Sequence, residues 1–183
     1  ISSGETVGSN PNNVSPAAAS EWRLFSNALV AGDVDMCNSL IASGLSDPDG
    51  ILVCMMLSHS RLVRTVDWRQ LVKDDICAYK YDFDAHKGMS ILHVAVLSHQ
   101  WPVIVHITSM RPQLIELEDD LSRLPVEYTN SQTPRLITRM LAVKGAGFIG
   151  QDDKQMDDWA AIPIADRIDD VLRSLVFNGP VTA

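Results

Sequence analysis

From Glu21 onward the chain alternates short apolar runs at helical spacing with Gly, Asp and Pro punctuation. The runs are Trp22 to Ala31, Val34 to Ala42, Ile51 to Ser58, Leu62 to Val72, Ile91 to Ser98, Val103 to Met110, Pro134 to Val143 and Ile164 to Phe177. Apolar residues three and four apart share one face of a helix, so each run predicts a short amphipathic helix. Strand-type alternation is scarce. Short helices in pairs, parted by brief turns, predict helical hairpins and an all-α fold rather than one bundle of long helices. Residues 1–19 are Ser, Gly, Asn, Pro and Ala without apolar periodicity, and read as a flexible N-terminal segment.

Paired short helices call for a search for internal repeats. The clearest unit is Gly88, Met89, then Ser90-Ile91-Leu92-His93-Val94-Ala95. That hexamer resembles the ankyrin signature T-P-L-H-x-A. Ser90 keeps a hydroxyl that can cap the helix start. Ile91 stands where proline would preset the first turn. Trp101 falls near the end of the turn that follows, and Val103, Ile104 and Ile107 form the stripe of a second helix. A further copy lies at Leu124-Pro125-Val126-Glu127-Tyr128-Thr129, with Thr129 34 residues after Ala95, near the ankyrin period of about 33. Pro125 sits in the proline slot, but Glu127 and Thr129 replace the His and the Ala. Upstream, Arg23 to Ala28, the turn at Gly32, the aliphatic pair Leu40-Ile41 and the cap Gly44 follow the same order. A fourth, eroded copy falls between, over Gly50 to Leu57 and Leu62 to Val72. The chain therefore resembles the ankyrin-repeat proteins over residues 20–147, as about four irregular repeats.

Beyond the repeats, residues 148–183 open on Asp152, Asp153, Asp157 and Asp158. Ile164, Ile168, Val171, Leu172, Leu175 and Val176 then recur at helical spacing. This reads as an acidic linker and a C-terminal capping helix, which a repeat stack needs to cover its open apolar end.

Charge narrows the partners. Fifteen basic against 23 acidic residues leave a net charge of −8. That balance opposes binding to nucleic acid, which needs cations to displace counterions, and opposes docking on an anionic membrane. No apolar run approaches the ~20 residues of a membrane-spanning helix, and the polar N-terminus does not read as a signal peptide. An opening on Ile1 rather than Met fits a piece of a longer protein. Cys37, Cys54 and Cys77 lie in apolar surroundings, as expected of buried thiols in an intracellular compartment, cytoplasmic or nuclear.

Candidate chemistry is sparse. His59, His86, His93, His99 and His106 lack the i, i+4 spacing that places two imidazoles on one helix face, and there is no C-x2-C pair. No metal or other cofactor is expected. In ankyrin repeats the residue matching His93 ties one repeat to the next, and a neutral imidazole can both donate and accept. No cysteine carries a nucleophile motif. The run Gly145-Ala146-Gly147-Phe148-Ile149-Gly150 has the spacing of a phosphate-binding loop, but it follows a helical pattern rather than a strand. Catalysis is not expected. The alternatives are a regulatory or enzymatic domain with an unrecognised site, or a self-assembly module.

The resemblance implies a protein-binding adaptor or scaffold that works through inter-repeat tips and a concave helical face. Three tips follow from the register: Asp47 to Gly50 with Asp47 and Asp49, Tyr81 to Lys87 with Tyr81, Asp82, Phe83, Asp84 and His86, and Glu116 to Leu121 with Glu118, Asp119 and Asp120. All are acidic. Asp is common in turns because it bonds turn amides, and an acidic row would also complement a basic segment of a partner protein. Tyr81 and Phe83 are the candidate aromatic anchors; the alternative for Tyr81 is burial beneath the second tip.

Overall fold

The computed structural model describes residues 16–45, 47, 50–57, 66–78, 80–83, 86–146 and 153–178. Among these are eight α-helices: α1 Pro16–Ala31, α2 Val34–Ala42, α3 Ile51–Leu57, α4 Ile91–Leu97, α5 Trp101–Met110, α6 Arg135–Met140, α7 Asp153–Ala160 and α8 Ile164–Asn178. The all-α class holds. The helices form antiparallel hairpins, α1 on α2 and α4 on α5, with α3 between them against α1 and α4. One apolar core runs through the described residues, from Phe25 and Leu29 through Leu52, Met56, Leu92 and Ile104 to Ile137, Met156 and Val171.

Local chemistry sets the helix ends. Asp33 caps α2 by accepting from the Met36 amide. Asp47 does the same for α3, its two carboxylate oxygens accepting from the amides of Leu52 and Val53. Ser90 caps α4, and Pro102 lies in the first turn of α5. The turn between α1 and α2 passes through Gly32 at φ +74°, a backbone region where a side chain is strained.

The structure departs from the sequence expectations at several places, one of them the repeat copy at 124–129, which forms the 3-10 turn Pro125–Tyr128. Helix α1 starts at Pro16, inside the segment read as flexible, because a proline and three alanines favour a helix start; residues 1–15 lie outside the described residues. The run Leu62 to Val72 shows no α-helix where it is described. It holds a 3-10 turn at Trp68–Gln70, fixed by Asn38 accepting from the Asp67 amide and by Trp68 meeting His106 edge to face. The second tip is a small antiparallel hairpin, β1 Tyr81–Phe83 on β2 His86–Met89, missed because two strands this short show no alternation. Part of the acidic linker is helix α7, whose Met156 and Trp159 are buried while Lys154 and Asp158 are exposed.

At the C-terminal end α8 lies on α6 and α5. Its buried face carries Ile164, Arg167, Ile168 and Val171, whereas Leu172 is exposed. Arg167 is 5% exposed and has no carboxylate partner among the described residues. Its Nε donates to the Ile162 carbonyl at 3.0 Å, and Nη1 reaches the carbonyls of Arg139, Met140 and Ala142 at 2.9 to 3.1 Å. A guanidinium thus closes the C-terminus of α6, where unpaired carbonyls and the negative end of the helix dipole converge. Burial and the neighbouring Arg139 lower its pKa, yet a guanidinium remains charged in proteins.

Candidate partner-binding surface

The three sequence-read tips differ in what their acids do. At the first, Asp47 is spent on capping α3, and Asp49 lies outside the described residues. At the second, Asp82 accepts from the Gly88 amide across the hairpin at 3.1 Å. Asp84 lies outside the described residues, as do the side chains of Phe83 and His86. Tyr81 is not an exposed anchor. It is 1% exposed, donates to the Ile76 carbonyl at 3.3 Å, and covers Gly50 so closely that a Cβ there would collide with its hydroxyl. The alternative of burial beneath the tip is the one observed.

The third tip is built from the inside. Asp119 is 6% exposed, so it does not present charge to a partner. Its Oδ1 accepts from the amides of Leu121 and Arg123, both at 2.9 Å, and its Oδ2 accepts from the Tyr128 hydroxyl. Burial first, and then this bond to Asp119, push the Tyr128 phenol up to about 12. The Asp119 amide donates to the Arg123 carbonyl, and Ser122 adopts φ +58° to close the turn. The Asp120 amide donates to the Lys87 carbonyl, tying this loop to the second hairpin. Gly88, at φ +67°, allows the close approach, since a Cβ there would strike the Asp120 carboxylate.

His93 completes the arrangement. The Ser90 amide donates to Nδ1 at 3.1 Å, so Nδ1 is an acceptor and the proton sits on Nε2. Nε2 then donates to the Arg123 carbonyl at 2.9 Å, 30 residues along the chain. Ser90 Oγ lies 2.8 Å from Nδ1 and accepts from the His93 amide. The pair has the spacing of a nucleophile and its base. Both residues are fully buried, however, and Ser90 Oγ and His93 Nδ1 are engaged in capping α4. Burial is the main cause that holds the His93 pKa below 6.5 and the ring neutral.

Outward, the loop is acidic. Glu116, Glu118 and Asp120 are exposed, and Leu121 is 53% exposed. Beside them opens a groove of about 390 Å³, lined by Glu116, Glu118, Ser122, Leu124, Glu127 and Lys144 among others. Glu127 accepts from the Leu124 amide at 2.6 Å, whereas Glu116 and Glu118 form no side-chain hydrogen bond or ion pair among the described residues. Sequence reasoning placed Glu116 to Leu121 in the third tip but missed the groove, which exists only once residues 143–146 fold back against the loop.

Other candidate chemistry is accounted for locally. His106 faces the Val72 carbonyl at 3.2 Å. Cys37 and Cys77 are buried thiols outside any disulfide, and burial pushes the Cys37 thiol up. No group of His, Cys, Asp and Glu among the described residues could hold a metal ion. Gly145 donates its amide to Asp157 at 3.0 Å, and residues 147–150 of the glycine-rich run lie outside the described residues. No helix of the described residues is long and apolar enough to cross a membrane. No protein-family model, curated protein or solved structure matches the chain.

Proposed function

We propose that the chain is a non-catalytic, ankyrin-type adaptor that takes a basic segment of a partner protein in the groove beside residues 116–124. The observation that carries this is a loop whose inward groups are bonded while Glu116 and Glu118 form no side-chain hydrogen bond or ion pair among the described residues. Asp119 holds the turn, and His93 holds Arg123. Glu116 and Glu118 face solvent beside a groove large enough for side chains. Free carboxylates with no role in holding the loop are available to cationic side chains, and complementary charge speeds and selects the encounter. Leu121, exposed among them, supplies an apolar contact. The ankyrin-type reading is supported by helical hairpins and by a Ser-x-x-His cap that ties one unit to a loop 30 residues on. An intracellular setting, cytoplasmic or nuclear, goes with the buried thiols outside any disulfide.

The test is capture of partners from cell extract at low and moderate salt, comparing wild type with Glu116→Lys/Glu118→Lys. The proposal expects a partner that wild type retains, the double variant loses, and rising salt weakens. Equal retention by both proteins would place the interface elsewhere. An unchanged melting temperature shows that the variant has lost binding rather than fold.

A further inference from the structure

The groove beside the third tip has walls of unlike charge. Residues 116–127 supply Glu116, Glu118 and Glu127, and residues 143–146 supply Lys144. We infer, on the basis of the partner site proposed above, that Lys144 sets the specificity of the groove. The basic segment accepted there carries one acidic side chain, placed to reach Lys144, and a uniformly basic segment is disfavoured.

Both walls stand on bonded backbone. On the acidic side, Asp119 holds the turn through two amides, and His93 holds the Arg123 carbonyl. On the other side, Arg167 donates to the Ala142 carbonyl at 2.9 Å, and Asp157 accepts from the Gly145 amide at 3.0 Å. The Ala146 amide donates to the Val143 carbonyl at 3.1 Å, and Gly145 takes φ +78° in that turn. Lys144 therefore lies on a stretch tied at Ala142 to α8 and at Gly145 to α7. Asp157 meets that stretch at an amide, while Lys144 itself is exposed and forms no ion pair among the described residues. Glu116 and Glu118 are in the same condition on the other wall. Unlike charges thus line one groove without meeting.

An occupant decides what those charges meet. Leu124 and Val143, partly buried and packed on the core, give apolar surface to the aliphatic stems of Lys and Arg. The charged heads of those side chains complement Glu116 and Glu118. A cation placed beside Lys144 is repelled, and the ammonium loses water without gaining a partner. An acidic side chain at that place turns the repulsion into a pair. The pair is exposed, so it is worth a modest factor, about 1.5- to 5-fold in affinity, and salt weakens it.

The test measures, by fluorescence anisotropy at low salt, binding of a Lys/Arg-rich peptide and of two sets in which one Glu or one Gln replaces each position in turn. We expect one position, or two adjacent ones, where Glu binds wild type about 1.5- to 5-fold tighter than Gln, with Glu weaker than Gln elsewhere. Lys144→Gln should abolish that preference. Lys144→Glu should reverse it, with Lys favoured at the same position, an outcome that a merely structural role for Lys144 would not give. Glu that weakens binding at every position, or a preference that survives in both variants, overturns the selector and leaves the acidic groove as the partner site. Absence of any peptide binding to wild type, or binding that Glu116→Lys/Glu118→Lys leaves unchanged, removes the groove as the partner site and the selector with it.

Discussion

His93 and Arg167 both reach from buried positions to main-chain carbonyls far along the chain, 30 residues away for His93 and 25 to 28 for Arg167. Their ionisation differs. His93 is neutral, with one nitrogen accepting and the other donating. Arg167 is charged, donates only, and meets only carbonyls, the acceptors a helix C-terminus leaves unpaired. The 119–124 loop is therefore bonded by a neutral ring, and the end of α6 by a group that stays charged.

Replacing Arg167 should break this comparison most visibly. Arg167→Met keeps the length of the side chain but takes a donor from four carbonyls, of which that of Arg139 retains the Ala142 amide. We expect a loss of about 3–5 kcal/mol in urea unfolding at any pH near neutrality. A loss under about 1 kcal/mol would mean that α6 closes its own end and α8 is held by apolar contact alone.

His93→Ala should cost less, about 1–3 kcal/mol, because it strands the Ser90 amide and takes one of two donors from the Arg123 carbonyl. The loss should concentrate in the 119–124 loop and in the first turn of α4, as residue-resolved exchange would show. A uniform loss would make His93 an ordinary core residue.

Tyr128 sharpens the contrast from the alkaline side, with the smallest effect. Its raised pKa means that the folded form holds the phenol proton more tightly than the unfolded chain does. Its contribution is complete below pH ~10 and lost as pH rises toward about 12. Spectrophotometric titration should find a tyrosine near that value, and Tyr128→Phe should remove it at a stability loss of about 1 kcal/mol. A Tyr128 that titrates at 10 would mean that the phenol and Asp119 are not bonded in solution.

Legibility in the sequence followed the range of the interaction. The hairpins α1–α2 and α4–α5 were readable because each helix buries a face set by spacing within one run. The Ser90 cap and the role of His93 were readable from a six-residue motif. Tyr81 was not decidable: an aromatic between acids reads as an exposed tip, and only its fit over Gly50 shows otherwise. Asp119 looked like its neighbours Glu118 and Asp120, yet its carboxylate turned inward to two amides and a phenol. The copy at 124–129 kept its proline but folded as the 3-10 turn Pro125–Tyr128 instead of an α-helix.

The amino-acid sequence by itself determined the helical class, the hairpin rhythm, the caps and the acidic character of the tips. Those depend on backbone preference and on residues a few positions apart. Only the tertiary structure decided which acids are spent on turns and which remain free. It also decided that a buried arginine, invisible in any motif, closes α6, and that residues 143–146 meet the 116–127 segment to form a groove. Such choices depend on which donors arrive from tens of residues away, and no local pattern records them.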